Sequence, residues 1–190
     1  MRKVKKQERR LPRSPALRIA TIAVLTAVTI VLTIVVKIPI PLTRGYFNLS
    51  DMAIYFAAFT FGPITAMLAG GIGTFIADAF AGVFIPYSPI SLFVHGLQGF
   101  LVWLISTTTL IGKEKQRGWP INPFWIIAAA IGTFVMCAGY FVAQLVLFGI
   151  GPAVVELPFN LLQNVAGLLA GIPLSLAVRK AYPPVAELRW

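Results

Sequence analysis

The sequence predicts an all-α integral membrane protein, a six-transmembrane-helix bundle with both termini in the cytoplasm. Three observations carry this prediction. Of the 190 residues, 58% are hydrophobic and only 12% charged, about half the charged share of an ordinary soluble domain. The charges leave two long gaps: from 45 to 112 the only formal charges are Asp51 and Asp78, and from 118 to 178 the only one is Glu156. Within those gaps Leu, Ile, Ala and Val run together in helix-length blocks, without the alternation of period two that a membrane barrel requires. At about 20 residues per crossing, the length fits about six helices joined by short connections. A large soluble catalytic domain has no room.

The first helix is the uncharged 18-residue run 19–36, bracketed by Arg18 and Lys37. Residues 1–18 are too polar and basic to be embedded, and the apolar run is longer than a secretory-signal core, so the helix reads as a retained anchor. Residues 37–45 form a loop, because Pro39 and Pro41 remove donors and restrict their neighbours. A short second helix, 49–61, stops at the turn signal Gly62-Pro63. The third helix covers 64–82. Pro86 and Pro89 mark a turn before the fourth, 90–110. A polar loop, 112–120, carries Lys113, Lys115 and Arg117; the fifth helix is 123–147, a turn occupies 149–152, and the sixth is 157–178. The chain thus divides into a basic arm (1–18), a membrane domain (19–178) and a tail (179–190).

Basic residues set the orientation. Eight lie in the first 18 positions, three in the loop between the fourth and fifth helices, and Arg179, Lys180 and Arg189 in the tail, against only Lys37 and Arg44 on the opposite side. Positive charge is retained in the cytoplasm, which places both termini and that loop inside and closes a count of six crossings. The arm reads as orienting charge that also meets anionic lipid. Nothing in it supports nucleic-acid binding.

Polar residues collect toward the outer half of this arrangement. Asn48 and Asp51 open the second helix, Asp78 lies near the end of the third, and His95 and Gln98 lie one turn apart on the fourth. Tyr140 and Gln144 pair on the fifth helix, and Glu156, Asn160 and Gln163 share one face of the sixth. Ionisable groups at membrane depth usually face a cavity or a partner, so these residues outline a cavity open to the outside and roofed by the 37–45 loop. Asp51 and Asp78 also suit a structural role between helices. Tyr46, Tyr87 and Trp103 read as interface aromatics, and the single cysteine, Cys137, as a small packing residue.

The inner halves carry small residues instead. Ala16, Ala20, Ala23 and Ala27 form one stripe on the first helix, and Ala69, Gly73, Ala77 and Ala81 another on the third. Such faces allow close helix approach, either within the bundle or, for the first helix, against a partner protein. No phosphate-binding loop, zinc-ligand cluster or nucleophile elbow occurs. Accordingly no catalytic residue, metal or cofactor is expected.

The segments Ile38-Pro-Ile-Pro-Leu-Thr-Arg-Gly-Tyr-Phe-Asn-Leu-Ser-Asp51, Phe61-Gly-Pro63, Ala69-Gly-Gly-Ile-Gly-Thr-Phe-Ile-Ala-Asp78, His95-Gly-Leu-Gln-Gly99, Gly139-Tyr-Phe141 and Glu156-Leu-Pro-Phe-Asn-Leu-Leu-Gln163 resemble the substrate-binding S components of energy-coupling factor (ECF) vitamin transporters. The resemblance spans nearly the whole membrane region and is densest to the hydroxymethylpyrimidine (thiamine-precursor) and pyridoxine-type branch, with Pro158-Phe-Asn160 also similar to riboflavin binders. It implies a six-helix bundle in a prokaryotic cell membrane that binds a vitamin-like ligand near the outer face. By position it nominates His95, Gln98, Tyr140, Gln144, Glu156, Asn160 and Gln163 as ligand contacts. It further implies that Ala16, Ala20, Ala23 and Ala27 dock a transmembrane scaffold subunit coupled to two ATPase subunits, so the chain itself is not an enzyme. This chain departs from the family where His95 and Gln98 replace an expected Lys-Gly-x-Glu-Gly pattern, and where Gln144 replaces a glutamate.

An acceptor carboxylate beside the amides of Asn160 and Gln163 suits the donor edge of an aminopyrimidine or a protonated pyridine. Two other readings compete. A stand-alone proton-coupled carrier would use Asp78 or Glu156 as relay, and an intramembrane enzyme would need a nucleophile–base pair that the sequence does not show.

Overall fold

The computed structural model describes residues 14–80, 85–107 and 123–188. Most of the basic arm, the loop between the fourth and fifth helices, and Ala81 lie outside the described residues. Six α-helices are present: α1 (Pro15–Val35), α2 (Ser50–Thr60), α3 (Pro63–Phe80), α4 (Tyr87–Thr107), α5 (Pro123–Phe148) and α6 (Ile150–Ala181). Five of them, all but α2, are long and apolar enough to cross a membrane. At 11 residues, α2 rises about 16 Å, roughly half the hydrocarbon thickness.

Packing follows from side-chain size and polarity. α1 starts at Ser14, whose hydroxyl accepts from the Leu17 amide at 3.1 Å, with Pro15 in its first turn. Its buried residues, Leu25, Thr29 and Thr33, face α2 and α3. The two threonine hydroxyls donate to the carbonyls of Leu25 and Thr29 at 2.9 and 2.7 Å, so neither is left unsatisfied in an apolar surrounding. The expected small stripe on α3 serves this internal seam: Ala69 and Ala77 are fully buried and Gly73 backs onto Thr29. α3 packs along α4, α4 along α5, α5 along α6, and α6 returns to α2, which fills the centre against α3 and α4. The core there holds Tyr55, Phe59, Val102 and Trp125, with Phe59 stacked on Trp125 at 4.3 Å. Ala16, Ala20, Ala23 and Ala27, in contrast, are all exposed on the free side of α1.

Three sequence expectations are corrected. The 37–45 loop contains half of a short antiparallel hairpin, β1 (Ile38–Pro39) with β2 (Tyr46–Phe47), in register Ile38 to Phe47. The turn expected at 149–152 shrinks to the single residue Gly149, at φ 86°, and α6 begins at Ile150. Likewise α4 begins at Tyr87 and not at residue 90. Pro152 and Pro89 sit in first turns, where the amide they lack has no helical partner to lose. Beyond α6, a 3-10 turn (Pro183–Leu188) folds the tail back so that Val185 is buried.

Candidate functional site

The hairpin lies across the ends of α3, α5 and the starts of α2, α4 and α6, and the polar residues converge beneath it. A cavity there is lined by Gly45, Tyr46 and Asn48 from the hairpin segment and Asp78 from α3. Tyr87 and His95 of α4, Met136 and Tyr140 of α5, and Glu156, Asn160 and Gln163 of α6 complete it. The cavity volume is about 30 Å3, well below the roughly 300–1,000 Å3 usual for ligand pockets.

Three hydrogen-bonded groups build the walls. In the first, the buried Glu156 carboxylate accepts from Gln144 Nε2, which also donates to the Tyr87 hydroxyl. Gly45 lies directly over this carboxylate, and a Cβ at that position would meet its oxygens, so a larger residue there would oblige the Glu156 side chain to shift. In the second, Asp78 accepts from the hydroxyls of Tyr46 and Ser91, and Ser91 Oγ lies 2.5 Å from the Tyr140 hydroxyl. One carboxylate thereby joins the hairpin, α3, α4 and α5. Burial and the neighbouring Asp78 charge push the Tyr46 phenol well above its ordinary pKa, which keeps it protonated and donating. Lys37 adds a cation 5.4 Å from the Tyr46 ring centre.

The third group forms the floor. Asp51, fully buried in the first turn of α2, accepts from Gln98 Nε2 at 2.6 Å and from Gln163 Nε2 at 2.7 Å. Gln163 Oε1 accepts the Asn48 backbone amide at 2.9 Å, and Gln98 also reaches Asn164 Oδ1 at 2.9 Å, which the Tyr55 hydroxyl meets at 2.8 Å. With no cation bonded to it among the described residues, this carboxylate is held by two amide donors and by the N-terminal end of α2.

Five of the seven nominated residues therefore line the cavity: His95, Tyr140, Glu156, Asn160 and Gln163. Gln98 and Gln144 stand behind it, both fully buried and supporting Asp51 and Glu156 respectively. Sequence reasoning missed Tyr46 and Tyr87 as lining residues by reading them as interface aromatics; Tyr87 is in fact only 4% exposed. Their position next to Gly45 and between Pro86 and Pro89 was the available signal. Asn48 and Asp78 were among the polar residues expected to outline the cavity, though not nominated as ligand contacts, and nothing in the sequence marks Met136.

Among the buried polar atoms without a protein hydrogen-bond partner in the described residues, two belong to this group of side chains: Asn160 Nδ2, a donor, and Gln144 Oε1, an acceptor. Unsatisfied buried groups cost about 1–3 kcal/mol each, and Asn160 lines the cavity. The Tyr87, Tyr140 and His95 rings stand near one another, with centres 6.3 Å apart for the two tyrosines and 5.5 Å for His95 and Tyr140. The site offers flat walls with polar edges and no acid–base–nucleophile arrangement.

Comparison with known proteins agrees with this architecture. The family model for the S component of ECF-type riboflavin transporters matches residues 15–180. An uncharacterized protein of Pyrococcus woesei is 32% identical over 162 residues, covering 85% of this chain and all of the relative. The thiamine precursor transporter HmpT of Lactococcus lactis subsp. cremoris is 30% identical over 164 residues, covering 86% of this chain and 88% of its own. A solved structure of the S component of a bacterial ECF transporter superposes with a TM-score of 0.59 at 25% identity, covering 90% of this chain and 98% of the other. The chain belongs to the family of ECF transporter S components.

Proposed function

We propose that this S component captures a small, planar nitrogen heterocycle of the thiamine-precursor class from the outer face of a prokaryotic cell membrane and hands it inward through partner subunits. The observation that carries the reading is the cavity under the hairpin, where Glu156 and Asn160, the latter with an unpartnered Nδ2, line one space beside the His95 and Tyr140 rings. An aminopyrimidine presents amino hydrogens beside ring-nitrogen acceptors, which matches a carboxylate and an amide donor. A pyridoxine-like ring fits the same pattern through its hydroxyls. The likeness to HmpT, a thiamine precursor transporter, points the same way.

The remaining assignments follow from that reading. Residues 1–18 form a cytoplasmic basic arm, 19–178 the membrane domain with six crossings, and 179–190 a cytoplasmic tail, because 14 of the 16 basic residues then lie inside. His95, Tyr140, Glu156, Asn160 and Gln163 contact the ligand, with Gln98 and Gln144 supporting them. The exposed alanines of α1 receive the scaffold subunit, since they leave a smooth face for close helix approach. Two ATPase subunits supply the energy, and membrane lipid surrounds the rest.

Reconstitution tests this. Liposomes holding the chain with its scaffold and ATPase subunits are expected to accumulate labelled hydroxymethylpyrimidine only when ATP is present inside. Accumulation by the chain alone under a pH gradient would overturn the reading in favour of a proton-coupled carrier.

A further inference from the structure

We propose that Asp51 is a positioning residue which, acting through Gln98, holds His95 as its Nδ1–H tautomer, so that Nε2 presents a lone pair to the pocket and selects ligands with a hydrogen-bond donor at that point. The ligand half of this inference rests on the pocket reading above; the tautomer half does not.

The tautomer follows from which atoms can only donate and which can only accept. The Asn48 backbone N–H can only donate, and it meets Gln163 at Oε1. Gln163 must therefore turn Nε2 toward Asp51. At the other end of the network, the Asn160 backbone carbonyl can only accept, and it takes Asn164 Nδ2 at 3.1 Å. Asn164 must therefore turn Oδ1 toward Gln98. Gln98 thus faces two acceptors, Asp51 Oδ1 and Asn164 Oδ1, with its Nε2. Its remaining atom, Oε1, can only accept, and it lies 2.9 Å from His95 Nδ1. Nδ1 must carry the hydrogen.

In the neutral ring this leaves Nε2 unprotonated. His95 is 1% exposed and lines the cavity, and Nε2 has no hydrogen-bond partner among the described residues. A buried acceptor without a protein partner calls for a donor, and the amino or hydroxyl group of a heterocycle supplies one. Asn160 Nδ2, buried and unpartnered, calls for an acceptor in the same cavity. The selected ligand therefore carries a donor and an acceptor on one ring edge. Asp51 does this without touching the ligand, since it is fully buried and does not line the cavity.

His95 is the single histidine of the chain, so protein made without a polyhistidine tag and labelled with 15N-histidine reports on this ring alone. In the ligand-free protein in lipid nanodiscs, the 15N shifts are expected to show a protonated Nδ1 and an unprotonated Nε2. A protonated Nε2, in either the other tautomer or an imidazolium, would overturn the proposal. Gln98→Met removes the acceptor for Nδ1–H. It is expected to shift the tautomer toward Nε2–H and to weaken hydroxymethylpyrimidine binding at least about tenfold, while an analogue lacking the amino group loses nothing. An unchanged tautomer, or an equal loss for both compounds, would contradict it. Should Gln98→Met fail to fold, Asp51→Asn offers the same test. With a donor in place of one acceptor, only Asn164 Oδ1 still fixes the Gln98 amide, and the Nδ1–H share of the ring is expected to fall; an unchanged tautomer would contradict the role of Asp51. An Nδ1–H ring in a protein that binds neither compound would confirm the relay and refute the ligand class.

Discussion

The two ends of the bundle handle polarity in opposite ways. At the hairpin end, three carboxylates, His95 and a set of amides are gathered inside the helices, each carboxylate wrapped in hydrogen bonds to Gln, Tyr or Ser. At the other end, the interior is aromatic and small. Phe59 stacks on Trp125, and Arg179 closes the end of α2 by donating to the Phe59 carbonyl while lying 4.9 Å from the Trp125 ring. Buried ionisable and amide groups are costly in a low-dielectric interior; among the described residues they collect at the hairpin end, while the buried polar side chains of the other end are hydroxyls such as Thr60, Thr65 and Ser175. The second end has a different asset: on α1 the small residues Ala16, Ala20, Ala23 and Ala27 face outward, whereas the similar stripe on α3 is consumed by packing.

Substitutions at the hairpin end test the contrast most strongly. Asp51→Ala strands the amides of Gln98 and Gln163 in the core, and at about 1.5–3 kcal/mol for each bond to a charged group it is expected to cost about 3 kcal/mol or more of stability. Thermal unfolding in detergent reads this, and an unchanged midpoint would mean that the floor network does not hold the bundle. Glu156→Gln keeps the shape and removes the charge; ligand affinity is expected to fall by at least about 1.4 kcal/mol, tenfold, with stability little changed. Tyr46→Phe removes the hairpin's bond to Asp78. A loss of about 1 kcal/mol is expected, visible as faster ligand release in stopped-flow fluorescence, and identical release rates would show that this bond does not restrain the hairpin. At the opposite end, Ala23→Trp is expected to leave ligand affinity unchanged while abolishing co-purification with the scaffold subunit. Loss of ligand binding as well would mean that the α1 stripe packs internally.

Much of this was legible in the sequence, and the misses share a physical cause. Charge gaps located the helices because formal charges are excluded from apolar surroundings. Residues one turn apart, such as Glu156, Asn160 and Gln163, were recognisable as one face. Proline was over-read: Pro89 and Pro152 look like breaks but lie in first turns, where a missing amide is harmless. Gln98 and Gln144 were nominated as ligand contacts through the family resemblance, which gives a residue's position and not which partner its side chain meets. Both amides are spent on carboxylates contributed by other helices, Asp51 and Glu156. Tyr87 was missed for the converse reason, since a tyrosine near a helix end suits an interface as well as a pocket, and only the packing of α4 against α5 decides between them.

The central claim is that the small polar cavity beneath the hairpin takes a single-ring heterocycle by pairing it with Glu156. Calorimetric titration of hydroxymethylpyrimidine into the purified chain and into Glu156→Gln tests it most directly. One-to-one binding that weakens at least about tenfold in the variant is the expected result; equal affinity in both proteins, or binding by neither alongside a different co-purified ligand in native mass spectrometry, would contradict it.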